Sequence, residues 1–256
     1  MNLAVIDAPS GPPGWEESRA HLIRIVDPSG RAVAWLAPEY GAMCAGFAVR
    51  ASGQRGMRWT QIFHAIEPLS PAPKAPPPSP LLAASGCIVH CGLRVGSSLP
   101  VQPWQYIARD PTAVVMETVI STNGDDCRYG DGDSSLHLRL TARLDDAELM
   151  LDLEADNTGT RAISPHLAFH VSFAPECTGS TGASLQFVTT MTTTTTMGQY
   201  AQEMVTSSDR IVFASNGYAS ALPTDTVPLE PGARVRIGIA FRAMVNNDGS
   251  RDVMHR

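Results

Sequence analysis

Apolar and polar residues alternate most regularly in the segment 149–156, which reads Leu-Met-Leu-Asp-Leu-Glu-Ala-Asp. One set of alternate residues is Leu or Ala, and the other is Met followed by acidic residues. Successive side chains of an extended strand point to opposite faces, so this period of two is typical of a strand with one face buried and one in water. The segment therefore predicts a half-buried β-strand.

Other alternating or β-branched segments recur along the chain, with turn residues between them. Asp27-Pro28-Ser29-Gly30 separates two of these segments and predicts a hairpin. Strands that follow one another in this way, without helices between them, favour an antiparallel all-β fold. The strands are predicted at 21–26, 31–38, 41–49, 113–121, 135–144, 148–155, 169–173, 185–196, 210–215 and 235–243.

Length and composition allow one large β domain or two small ones, and we favour one. The chain has 256 residues, of which 43% are hydrophobic, and this is enough to bury a full core. We expect a single large antiparallel β-sandwich over residues 21–245, after an irregular lead-in at 1–20 and before a polar tail at 246–256. The proline-rich segment 68–80 predicts an extended surface loop at the rim of the sandwich, and the Asp/Gly-rich segment 124–133 predicts a solvated hairpin loop.

Charge, hydropathy and cysteine content narrow the class of protein. The net charge is −6 and no segment is rich in Lys or Arg, which argues against nucleic acid as a partner. The N-terminus lacks a basic segment followed by a long apolar one, and no apolar run approaches membrane-spanning length, so we expect a soluble cytoplasmic protein without membrane contact. Five cysteines without a Cys-x-x-Cys pair fit reduced thiols. No phosphate-binding loop follows a strand, so no cofactor is expected.

The segment 157–173 places a histidine on a strand among apolar residues. Asn157 ends the preceding strand, a turn and Pro165 follow, and His170 lies in the sequence Phe-His-Val-Ser-Phe. This arrangement resembles the aldose 1-epimerases and the broader galactose mutarotase-like superfamily, in which the histidine after the proline is the general acid. The later sequence Leu229-Glu230-Pro231-Gly232, ahead of the last strand, resembles the closing segment of the same family. The resemblance implies the mutarotase β-sandwich, with His170 as a proton donor.

A second resemblance to this family lies at 85–106. The family has a His-Gly pair, an Arg shortly afterwards and a Trp about ten residues further on, and here His90, Cys91, Arg94 and Trp104 stand in these places. If Gly92 is the family glycine, Cys91 replaces the family histidine and His90 precedes it. A slip of one residue turns a side chain to the opposite face of a sheet, so either residue is a candidate for the site, and a structural role for His90 stays open.

The family's catalytic base has no counterpart in this sequence. The family carries a Glu on the strand before the closing Leu-x-Pro-Gly segment, whereas here Ser215 or Asn216 occupies that place. A serine hydroxyl is not a base near neutral pH unless another group activates it. Little or no galactose or glucose mutarotation is therefore predicted. Five other carboxylates remain open as substitutes: Glu117, Glu154, Glu203, Asp209 and Asp225.

Two classes of function follow from the resemblance. The first is a divergent aldose 1-epimerase-like isomerase or cyclase that acts by acid–base chemistry on a small oxygenated metabolite, for example in secondary-metabolite biosynthesis. The second is a non-catalytic protein that binds a carbohydrate or metabolite in the same cleft. No metal is predicted, because His166 and His170 would lie about 13 Å apart on a regular strand. We expect a monomer or homodimer with a small-molecule substrate. Its candidate residues are His170 and His90 for catalysis, and Arg94, Trp104, Cys91, His166, Ser215 and Asn216 for substrate binding.

Overall fold

The computed structural model describes residues 11, 21–53, 56–63, 87–92, 103–122, 134–172, 185–196, 211–213, 218–221 and 228–245. Within these ranges the chain forms β-strands and a single 3₁₀ turn at Pro38–Tyr40. The strands are β1 (Ile23–Val26), β2 (Ala32–Ala37), β3 (Met43–Gly53), β4 (Gly56–Gln61), β5 (Cys87–Gly92), β6 (Gln105–Arg109), β7 (Ala113–Thr122), β8 (Ser134–Asp145), β9 (Glu148–Asn157), β10 (His166–Ser172), β11 (Leu185–Thr196), β12 (Ile211–Phe213), β13 (Tyr218–Ala221) and β14 (Arg234–Val245).

The strands form two sheets in which every described pairing is antiparallel. The eight-stranded sheet has the order β1-β2-β3-β5-β10-β13-β12, with β4 also paired to β3. The six-stranded sheet has the order β11-β14-β9-β8-β7-β6. This architecture confirms the predicted all-β class and the antiparallel β-sandwich.

The hairpin of β1 and β2 is paired as its turn residues predict. Ile23 lies opposite Leu36 and Val26 lies opposite Val33. In the turn, the Gly30 amide donates to the Asp27 carbonyl at 2.8 Å, and Gly30 has a φ of 69°, a conformation that glycine adopts without steric cost. The long strands β7, β8, β9, β11 and β14 also match predicted segments, whereas β4, β5, β6 and β13 lie outside the strands predicted above.

The core lies between the two sheets and draws residues from both. On the eight-stranded side, alternate residues such as Ile25, Leu36 and Phe169 are buried, and on the six-stranded side Leu153 and Ile237 are buried. We call the face of each sheet that points away from this shared core its outer face. The alternation of each strand therefore decides which residues can meet a ligand on an outer face.

Three phenylalanines connect the sheets through the core. The Phe63 ring packs edge-on against Phe47 of β3, with 5.6 Å between ring centroids, and against Phe241 of β14, with 5.0 Å. Such edge-to-face pairs stabilise a core beyond the area that they bury. Phe63 therefore joins the two sheets directly.

In the part of the chain that the structure describes, no helix has the length and hydropathy needed to cross a membrane.

Candidate functional site

The two histidines of β10 belong to the outer face of the eight-stranded sheet. Leu167, Phe169 and Val171 of this strand are buried in the shared core. His166 and His170 occupy the intervening positions, which an extended strand presents on its opposite face. The strand therefore has an apolar core face, and the positions of His166 and His170 belong to its opposite face.

The register of β5 against β10 separates His90 from Cys91. His90 lies opposite Ala168, and Cys91 lies opposite the buried Leu167. Residues directly opposite one another in an antiparallel pair share a face. His90 therefore belongs to the outer face together with His170, and Cys91 belongs to the core face. The register thus decides between two positions that the sequence alone leaves open, and a substrate contact by Cys91 remains a prediction.

Two strands surround His170 in the sheet. It lies opposite Ile88 of β5 on one side and opposite Ser220 of β13 on the other. His90 is its diagonal neighbour on β5, and such positions are about 7–8 Å apart. A ligand the size of a single sugar ring can thus meet both positions. Ser220 was not predicted as a site residue. Nothing in the short sequence Tyr-Ala-Ser-Ala indicates that this segment pairs with β10.

Several predicted site residues are not brought to this face by the described structure. Trp104 is only 7% exposed and packs in the shared core just before β6, at the edge of the six-stranded sheet. It also lines an open depression of about 400 Å³ together with His21, Glu39 and Tyr106. Arg94, Ser215 and Asn216 lie outside the described residues. Their roles in substrate binding, and that of Trp104, remain predictions.

Acidic residues are distributed unequally between the two sheets. As described, the eight strands of the larger sheet contain no Asp or Glu. The strands of the smaller sheet contain six: Glu117, Asp145, Glu148, Asp152, Glu154 and Asp156. A carboxylate base for the histidine face must therefore come from outside the strands of that sheet.

Two of the carboxylates that the sequence left open are engaged on the opposite side of the sandwich. Glu117 accepts a hydrogen bond from Arg139 at 2.7 Å and lies 3.4 Å from His137. Glu154 lies 3.8 Å from Arg234, on the same outer face of the six-stranded sheet. The two sheets and the core lie between these two residues and the strand position of His170. Glu203, Asp209 and Asp225 lie outside the described residues.

These contacts belong to a ladder of ion pairs across the outer face of the six-stranded sheet. Arg234 pairs with Asp156, and Arg236 contacts Asp152 at 3.0 Å. Hydrogen bonds to these carboxylates raise the pKa of each guanidinium. Among the described side chains, no group of three His, Cys, Asp or Glu residues could hold a metal ion. The ladder is thus a row of mutually satisfied charges.

The other half of the histidine-bearing sheet has an apolar outer face. Val33, Trp35 and Ala48 are buried there, and Val26 and Trp59 pack against them. The indole Nε1 of Trp35 is buried without a hydrogen-bond partner among the described residues. The outer face of this sheet thus has two parts. Strands β1–β4 form an aromatic region, and strands β5, β10 and β13 contribute histidine and serine positions.

Asn157 fixes the chain that leads into β10. Its side-chain amide donates to the carbonyls of Arg161 and Leu229, both at 2.7 Å, and its side-chain oxygen accepts from the Gly159 amide at 3.0 Å. It is 1% exposed, so these bonds satisfy its polar atoms within the protein. The asparagine of the family pattern therefore has a structural role here.

The closing Leu-x-Pro-Gly segment is bound by the same residue. The backbone amide of Asn157 donates to the Ala233 carbonyl at 3.0 Å, and the backbone amide of Gly232 donates to the backbone carbonyl of Asn157 at 2.8 Å. A β-bridge between Ile163 and Leu229 continues this contact toward β10. We call this set of bonds the Asn157 clamp. It holds together two segments that carry the family resemblance.

Comparison with solved structures identifies the fold. The structure is similar to the GalM/aldose epimerase homologue of C. elegans, with a TM-score of 0.53 and 10% identity over 88% of this chain and 99% of that chain. The chain has the β-sandwich fold of galactose mutarotase-like proteins. A protein of Synechocystis has the same fold, with a TM-score of 0.52 and 12% identity over 89% of this chain and 96% of that chain.

The mutarotase-like fold was predicted from degraded motifs, and the solved structures confirm it. No protein-family model and no curated protein sequence matches the chain. At 10 and 12% identity the likeness shows the fold alone.

Proposed function

We propose that the protein is a divergent aldose 1-epimerase-like isomerase or cyclase, which acts by acid–base chemistry on a small cyclic oxygenated metabolite, a sugar in the simplest case. His170 is the proton donor, and His90 is the second imidazole that contacts the reacting oxygens. Ring opening and closure need one group that gives a proton to the ring oxygen and another that takes a proton from the anomeric hydroxyl.

The observation that carries this proposal is the register of β5, β10 and β13. It assigns His90, His170 and Ser220 to one face of central strands in a mutarotase-like sandwich. Imidazole is the side chain best suited to proton transfer near neutral pH, and a hydroxyl can bind a sugar oxygen as donor or acceptor. The spacing of these positions suits a ligand of one ring.

A second candidate function is supported by the distribution of carboxylates. The described strands of the histidine-bearing sheet contain no acidic residue. A protein that kept the cleft without the base would bind a carbohydrate or related metabolite and leave it unchanged. Measurements of binding and of turnover on the same ligands separate the two candidates.

The test begins with the intact protein and a defined set of sugars. α-D-Galactose and α-D-glucose are followed by polarimetry, and the other aldohexoses and the aldopentoses by NMR exchange between anomer signals. We expect little or no acceleration for galactose and glucose, because the family Glu is absent near Ser215 and Asn216. Acceleration with another aldose supports the enzyme, and saturation-transfer binding without any acceleration supports the binder. A protein that neither binds nor converts any of these sugars contradicts a sugar as the ligand.

His170→Ala tests the proposed proton donor on whichever substrate is turned over. Removal of a general acid should lower turnover by about 100-fold or more. The thermal midpoint should hardly change, since position 170 belongs to the outer face and not to the core. His137→Ala is the matched control, because it removes an imidazole from the outer face of the other sheet, and it should leave turnover unchanged. Full activity in His170→Ala, or a failure of that variant to fold, rejects the assignment.

A further inference from the structure

Two of the five cysteines face one another across neighbouring strands. Cys44 of β3 lies directly opposite Cys87 of β5, and both are free thiols buried in the shared core. Opposed residues in an antiparallel pair have Cα atoms about 4.5–5.5 Å apart, and a disulfide needs about 4.4–6.8 Å. The backbone therefore already has the spacing of a cross-link.

The position of this pair in the sheet is unusual. β3 and β5 are joined in the described register by the single pair Cys44 and Cys87, whereas β5 and β10 share six paired residues from His166 to Val171. The same edge of β3 is paired with β4 over Ala48–Gly53. The Cys44–Cys87 pair thus marks the junction between the β1–β4 half of the sheet and the half that carries His90 and His170.

We propose that Cys44 and Cys87 form a cross-strand disulfide when the protein meets a thiol oxidant, and that this bond clips the two halves of the eight-stranded sheet together. The reaction removes one hydrogen from each thiol, so that two protons and two electrons pass to the oxidant and one S–S bond forms. With diamide, the first thiolate adds to the N=N bond, and the second thiol displaces the resulting hydrazine from that sulfur. This inference does not depend on the proposed function.

The surroundings of the thiols predict that the reaction is slow and strongly dependent on pH. Burial raises the pKa of Cys44 to about 12 and also raises the pKa of Cys87, on which the neighbouring Cys44 acts in the same direction. The Cys44 thiol donates to the Gly46 carbonyl at 3.4 Å. Because the thiolate is the reactive form, the rate should rise about tenfold for each unit of pH below these pKa values. Only one thiol has to become exposed, since the other lies opposite it.

The test uses the native full-length protein and diamide at pH 7.0, 8.0 and 9.0. After unreacted thiols are blocked, proteolysis and mass spectrometry should find a peptide that joins Cys44 to Cys87, and it should disappear on reduction. The peptide that contains Cys87 also contains Cys91, so two variants decide which of the two cysteines is linked. Cys91→Ser should keep the cross-link, and Cys87→Ser should lose it. The oxidised protein should melt at least about 5 °C higher than the reduced protein, because the disulfide closes the long loop between residues 44 and 87 and so restricts the unfolded chain.

Three results would overturn the proposal. The first is that Cys44 and Cys87 are both recovered as blocked thiols, without a disulfide, under conditions in which the other cysteines have been oxidised. The second is a cross-link that forms only in denaturant. The third is a cross-linked native protein whose melting temperature does not rise. The main readout is taken on the unmodified sequence, so the proposal does not depend on whether a cysteine variant folds.

Discussion

The two outer faces of the sandwich differ in charge. On the six-stranded sheet, acidic and basic side chains alternate across strands and pair with one another, as in Arg139 with Glu117 and Arg236 with Asp152. On the eight-stranded sheet, the described strands carry no acidic residue, and the outer face combines buried Trp35 with the positions of three histidines. The polar groups of the six-stranded face satisfy one another, whereas the eight-stranded face is where we propose that a ligand binds.

This difference shows why residue type alone is a poor guide to the site. His137 and Glu117 together are the kind of pair from which acid–base catalysts are built, and they lie 3.4 Å apart. They nevertheless belong to a solvated ladder whose members each have a partner. His170 lacks any carboxylate neighbour on its own described strands, yet it occupies the central part of the sheet in a mutarotase-like fold. Position in the fold, rather than local chemistry, is the reason that we propose His170 as the proton donor.

The largest effect on stability is expected from the contact that Phe63 makes between the two sheets in the core. Phe63→Ala removes a ring that packs on Phe47 of one sheet and Phe241 of the other. We expect the free energy of unfolding to fall by about 4 kcal/mol, because a large buried ring leaves a cavity. Urea denaturation measures this loss, and Phe63→Leu should lose about 1.5 kcal/mol, since it keeps most of the volume. A loss below about 1 kcal/mol for Phe63→Ala would show that the sheets do not depend on this contact.

The Asn157 clamp should have the next largest effect. Asn157→Ala leaves the carbonyls of Arg161 and Leu229 and the amide of Gly159 without their side-chain partner. The expected loss of unfolding free energy is about 3 kcal/mol, since buried polar groups that lose a partner are costly. Thr158→Ala is the control, because it removes an exposed hydrogen bond to Ser135 and should change stability by less than about 0.5 kcal/mol. Equal losses in the two variants would contradict the clamp.

The ion-pair ladder should contribute least. A double-mutant cycle on Arg139→Ala and Glu117→Ala should give a coupling energy of about 0.5 kcal/mol, because both side chains are partly exposed to solvent, Arg139 by 46% and Glu117 by 22%. The coupling should shrink in 1 M NaCl, where the screening length is about 3 Å. A salt-insensitive coupling above about 2 kcal/mol would mean that this face is more than a solvated support.

The fold could be predicted from the sequence because its long strands carry a local signal. Residues 149–156 alternate strictly, and the observed β9 spans Glu148–Asn157 with Leu149, Leu151 and Leu153 buried. β4 and β13 were not predicted from such a signal, and in the structure they are defined by their pairing with β3 and β10. The periodicity of each strand is local, whereas the order of strands in the sheets is not.

The candidate site was harder to predict from the sequence, because it depends on how strands that are distant in the chain pair with one another. Whether His90 or Cys91 shares a face with His170 depends on a register of one residue between two distant strands. Glu117 and Glu154 could not be set aside until their sheet was known, because alternation shows that a residue is on an outer face without showing which one. Ser220 had no motif at all. The prediction of His170 rested on its resemblance to a family pattern, and its role remains a proposal.

The central claim is that the outer face of the eight-stranded sheet, and not that of the six-stranded sheet, receives the ligand. The most direct measurement is an NMR titration of the intact protein with an aldose that binds in the screen above, following the imidazole signals of His90, His170 and His137, each assigned by its His→Ala variant. We predict that the signals of His90 and His170 shift with the same saturation curve and that the signal of His137 stays in place. Shifts confined to His137, or no shift in His90 and His170 at saturating sugar, would contradict the claim.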